Sequence, residues 1–159
     1  MTIGNGEQGG NSGKEIINLL LDYHQTQLDL CDRLERLADS LPGQINKQEC
    51  LSISWQIYPM IKAAHRFEEE KLFPMLTADD RKTTAVARSL ERLKFEHWED
   101  ESSAEDISIS LRQMISEPAA TNFEKVAYML RGFFEGLRRH IAFEQDHLLP
   151  LINNSSSLS

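Results

Sequence analysis

Apolar residues recur at three- and four-residue intervals through four stretches of the chain, the period at which one face of an α-helix turns toward a core. Between Lys14 and Ser40 the stripe reads Ile17, Leu20, Leu28, Cys31 and Leu34, with His24 in its middle. A second stretch runs to about Leu72 and places Ile53, Ile57, Ile61, Ala64, His65, Glu69 and Leu72 on one face. The third, the longest by this reading, has Val86, Leu90, Leu93, His97, Glu101, Ala104, Leu111 and Met114. The fourth has Val126, Leu130, Phe133, Leu137, His140, Glu144, Leu148 and Leu151. Every stripe thus holds a histidine at a position that the period assigns to the core.

Breakers and caps separate the stretches. Ser40-Leu41-Pro42-Gly43 ends the first helix, and Asn46 with Glu49 three residues on is an N-cap signature for the second. Pro59 removes one backbone hydrogen bond inside the second helix and predicts a kink, while Pro74 predicts its end. The polar stretch from Thr77 to Thr84 carries the chain across the end of the bundle. Glu117-Pro118 closes the third helix, and Thr121-Asn122-Phe123-Glu124 reads as a capping box for the fourth. Four long helices with short connections predict an all-α, antiparallel up-down-up-down four-helix bundle over residues 14–152. Residues 1–13, rich in Gly and Asn, read as a flexible arm, and 153–159 as a polar tail. In this topology the early part of the first helix meets the late parts of the second and fourth, which puts His24, His65 and His140 in one layer.

The chemistry lies in those polar residues within apolar stripes. His65 and Glu69 are four residues apart, as are His140 and Glu144, so each pair shares a helix face about 6 Å apart along the axis. The spacing also repeats, with 41 residues from His24 to His65 and 43 from His97 to His140, as in a duplicated helical hairpin. One buried histidine is usually a satisfied core residue. Four of them, one per helix and two with a glutamate one turn on, would be costly to bury together unless a metal paired with them. Imidazole and carboxylate without thiolate suit iron or manganese, and zinc less well. Two carboxylates able to bridge and four nitrogen donors suit two ions, a non-haem di-iron centre within a bundle.

Composition narrows the rest. A net charge of -8 argues against nucleic acid and anionic membrane surfaces as partners. No apolar run reaches the length of a membrane span, and the first residues lack the pattern of a secretory signal, so the chain reads as cytoplasmic, a monomer or weak homodimer. Cys31 and Cys50 lack a Cys-x-x-Cys spacing and read as buried thiols. Cys31, seven residues after His24, shares its face, which leaves a role beside a ligand open. His147 reads as a cation near a helix C-terminus, and Arg138-Arg139 as a solvated face.

Taken together, these residues resemble the hemerythrin-like HHE cation-binding domains. The resemblance runs from His24 to Pro150 and rests on a lone His in the first helix and His65-x-x-x-Glu69 before Leu-Phe-Pro. It rests further on Glu96-His97 in the third helix and His140-x-x-x-Glu144 before Pro150. It implies that His24, His65, Glu69, His97, His140 and Glu144 ligate two irons and that the two glutamates bridge them. Glu101 stands where oxygen-carrying members have a second histidine, which makes it a further ligand candidate and weakens simple oxygen carriage. Glu68, three residues from His65, is the alternative to Glu69. The function implied is binding of O2, NO or peroxide for sensing, detoxification or delivery. A di-iron oxidase or peroxidase-like enzyme and an iron-handling or regulatory module are the alternatives.

Overall fold

The computed structural model describes residues 8–77 and 84–156, with side chains over 13–77 and 84–152. Helix α1 spans Gln8–Ser40, so the described part of the expected arm is helical, and residues 1–7 lie outside the described range. Helix α2 spans Lys47–Phe67 and runs on through a π-helical turn, Glu68–Leu72, into α3, Phe73–Thr77. After residues 78–83, which include most of the expected crossing and are not described, α4 spans Thr84–Ser116. At 33 residues it equals α1 rather than exceeding it. A single 3-10 turn, Pro118–Ala120, leads to α5, Phe123–Phe143, then a second π-helical turn, Glu144–Leu148, and α6, Leu149–Ser156. No strand occurs among the described residues, and the four rods form an antiparallel bundle in which α1 lies against α2 and α5, and α4 against the same two.

The caps follow local chemistry. Asn46 accepts the Glu49 backbone N–H, as its position predicts, and α2 continues unbroken through Pro59. At the fourth rod the cap is Asn122, which accepts the Lys125 N–H, one residue later than the box starting at Thr121. Thr121 instead donates its hydroxyl to the Glu117 carbonyl.

Pro74 does not end its helix, a correction with a backbone cause. The Phe73 N–H reaches back five residues to the Glu68 carbonyl, and the Leu149 N–H does the same to Glu144. A proline lacks an N–H, and its ring crowds the carbonyl four residues before it. The wider turn in front of Pro74 and Pro150 relieves that crowding, so the helix passes through. It also changes the phase: in an unbroken α-helix Phe73 would sit about 140° round the axis from Glu68. Here Glu68, Leu72 and Phe73 are all buried.

Two apolar clusters fill the bundle. The larger contains Leu30, Leu34, Ile53, Ile57, Ile61, Ile107, Leu111, Leu130, Phe134 and Leu137, and the smaller Leu20, Leu72, Phe73, Leu90, Leu93, Leu148 and Ile152. Between them the bundle buries His24, His65, Glu68, His97, His140 and Glu144. Cys31 lies in the larger cluster, its thiol directed at the Phe134 carbonyl, and burial pushes its pKa up to about 12, so it packs as an apolar side chain. Cys50 is buried likewise.

Candidate metal centre

Four histidines, one from each rod, enclose two carboxylates. The Glu144 Oε2 lies 2.8 Å from His24 Nε2, and its Oε1 meets His140 Nε2. The Glu68 Oε2 lies 2.7 Å from His97 Nε2, and its Oε1 lies 3.9 Å from His24 Nε2. His65 and His97 stack with ring centroids 3.8 Å apart, and Phe73 also stacks on His97, at 5.7 Å. Donor atoms of Glu68, His97, His140 and Glu144 all fall within 4.8 Å of one another.

Only part of this closeness is hydrogen bonding. His24 Nε2 pairs with Glu144 Oε2, but His97 Nε2 and Glu68 Oε2 are in reach without forming a hydrogen bond, and both ring nitrogens of His65, His97 Nδ1, His140 Nε2 and Glu144 Oε1 have no hydrogen-bond partner either. So many buried orphan donors in one layer would be destabilising in a finished core. Donor atoms gathered within one small space, several of them without a hydrogen-bond partner, are what a cation requires, and the residues fit a bound metal.

The outer nitrogens follow a rule of their own. His140 Nδ1 lies 3.3 Å from Glu96, His97 Nδ1 lies 3.6 Å from Glu69, and His65 Nδ1 lies 3.9 Å from Glu101. The Gln145 amide lies 3.2 Å from His24 Nδ1. Of these carboxylates, Glu96 is within hydrogen-bond distance, and there it favours the proton on His140 Nδ1 and leaves the Nε2 lone pair directed inward, while Glu69 and Glu101 stand further off. Glu69 and Glu101, expected as ligands, therefore stand behind histidines; their side chains are 40% and 26% exposed against 3% for Glu68.

The exchange of Glu69 for Glu68 has a geometric reason. Counted from Ile57 at about 100° per residue, Ile61 and Ala64 lie within 40° of it, Glu68 at about 20° and Glu69 at about 120°. His65, at about 80°, is at the flank of its stripe, so counting from His65 alone selects Glu69, the half-exposed neighbour of the buried Glu68. The prolines carried the same signal, since Glu68 precedes Leu-Phe-Pro by the same spacing at which Glu144 precedes Leu-Leu-Pro.

Burial sets the charge state. It pushes the Glu68 carboxyl well above its usual range, with the neighbouring Glu144 charge adding to the effect. Burial acts on Glu144 too, but its close contacts with His140, His24 and Glu68 outweigh it and hold that carboxyl low. Burial, then the neighbouring imidazoles, lowers His65 to about 2 and His97 to about 4. Both rings are consequently neutral at pH 7, the form that can donate to a metal. For His140 burial also acts downward, yet contact with Glu144 leaves its pKa raised.

Other expected features lie outside the cluster. His147 is exposed and rests against Phe143 at 4.8 Å. Arg138 is not merely solvated: it spans from α5 to Asp32 and Glu35 of α1 at 2.9 and 2.7 Å. Among the described residues no helix is long and apolar enough to cross a membrane. Compared with known proteins, residues 15–152 match the family model described as the hemerythrin HHE cation-binding domain. No curated protein and no solved structure matches the chain.

Proposed function

Because the chain belongs to the hemerythrin HHE cation-binding family, we propose that its buried cluster holds two irons and binds a small ligand, O2, NO or peroxide, for sensing, detoxification or delivery. The observation that carries this reading is the division of each carboxylate between histidines of different rods. Glu144 faces His24 with one oxygen and His140 with the other, and Glu68 faces His24 and His97. A carboxylate so divided is suited to bridge two ions.

His65, His97 and His140 would serve one ion and His24 the other, with Glu68 and Glu144 between them. On the His24 side the chain would offer one imidazole and two carboxylate oxygens, few enough donors that a small ligand could bind there as well. A pair of irons supplies the redox electrons and a Lewis-acidic position for such a ligand. The chain supplies the rest: apolar clusters on both sides that limit water, the neutral imidazoles of His65 and His97, and an outer carboxylate, Glu96, within hydrogen-bond distance of His140 Nδ1.

The test is an optical titration of the iron-loaded, reduced protein with NO and, separately, with O2 and peroxide. A saturable spectral change with at least one of them is the expected result. Iron retained with no response to any of the three would overturn ligand binding while leaving the metal assignment intact.

A further inference from the structure

The six buried residues of the centre differ in one respect. His24, His65, Glu68, His97 and Glu144 are each at most 2% exposed, whereas His140 reaches 9% and lines a cleft of about 640 Å³ between α4 and α5. That cleft also has Leu93, Glu96, Asp100, Gly136 and Arg139 in its walls. A neighbouring hollow of about 310 Å³ ends on Phe73, whose ring covers His97. Of the two, only the α4–α5 cleft is lined by a residue of the centre, His140, whose Nδ1 lies 3.3 Å from Glu96 in the same lining and whose Nε2 is buried behind it.

We propose that this cleft is the route by which a divalent metal ion passes between solvent and the buried centre, and that Gly136 keeps it open. The proposal rests on the reading of the cluster as a metal site. Glu96, Glu99 and Asp100 give the cleft a carboxylate-rich wall along α4, which favours a cation over an anion. One of its two arginines, Arg92, is already paired with Glu96 at 3.1 Å. Gly136 occupies the opposite wall one helical turn before His140, and the absence of a side chain there is what leaves the passage clear. A Cβ added at this position would meet only the far end of Arg139, at 3.8 Å, so a larger residue enters the cleft without displacing the backbone.

A gate has a kinetic signature that a structural defect lacks. Narrowing a passage slows uptake and release by the same factor and leaves equilibrium affinity unchanged. The experiment uses metal-free protein and Co2+, whose visible absorption reports occupancy, with stopped-flow uptake and release into excess chelator. Gly136→Phe is the plug and Gly136→Leu a smaller one that guards against a folding failure. Gly132→Phe, one turn earlier on the exposed side of α5 with nothing within 4 Å of its Cβ, controls for the helix-propensity change.

The expected result is that Gly136→Phe slows both rates about tenfold or more, Gly136→Leu slows them less, and Gly132→Phe keeps wild-type rates, with equal final Co2+ per chain in all. Asp100→Asn should slow uptake and flatten its dependence on salt. Wild-type rates in Gly136→Phe and Gly136→Leu, or equal slowing in Gly132→Phe, would overturn the route. Wild-type protein that retains no Co2+ at equilibrium would instead remove the metal reading, and the route with it.

Discussion

Glu68 and Glu69 are adjacent and chemically identical, yet one is sealed between His97 and His24 while the other stands behind His97 in partial contact with solvent. Their substitutions should fail differently. Glu68→Ala removes an inward donor and should lower the number of metal ions per chain. Glu69→Ala leaves the donors in place and loosens the His97 orientation, which should weaken affinity by about 10–100-fold without changing stoichiometry. Glu96→Gln, behind His140, belongs with Glu69→Ala. Metal titrations monitored by absorbance, with elemental analysis at saturation, separate the two classes. Loss of stoichiometry in Glu69→Ala with none in Glu68→Ala would return Glu69 to the centre. That four histidines face inward was legible from the sequence because each lies within an apolar stripe. The choice between neighbouring glutamates was not legible from His65 alone, because three- and four-residue spacings both stay on its side of the helix.

At the scale of the element, the sequence located the four rods, the Asn46 cap and the break at Pro42, since each of these depends on near neighbours. It misplaced the end of the second rod, because the π-helical turn before Pro74 depends on how the backbone accommodates a proline whose following residues remain buried. A tie between rods was also out of reach. The Ser108 hydroxyl donates across the bundle to the Ser54 carbonyl at 2.5 Å, joining α4 to α2 below the metal layer. Ser108→Ala deletes the donor and should cost about 1–3 kcal/mol, read from urea unfolding of the metal-free protein. Asn46→Ala, which removes the α2 cap, should cost about 1 kcal/mol. No change in either variant would show that water replaces these partners without loss.

Across the whole molecule the metal layer divides the apolar interior into a large cluster and a small one. Without a metal, both nitrogens of His97 lack a hydrogen-bond partner, and its ring stacks on Phe73 of the small cluster. That end should therefore open more readily than the other. Hydrogen exchange of metal-free protein is expected to be faster over residues 16–24, 68–77, 86–97 and 144–152 than over 30–38, 50–61, 104–114 and 126–137, and metal should protect the first group selectively. Uniform protection on loading would mean that the bundle opens as one unit.

The central claim is that Glu68 and Glu144, each divided between histidines of different rods, bridge two ions. Elemental analysis of protein loaded anaerobically with ferrous iron and freed of excess tests it most directly. The expected result is two irons per chain, falling to one or fewer in Glu68→Ala. One iron or fewer in the unmodified chain, or zinc held at a single site in preference to iron, would contradict it.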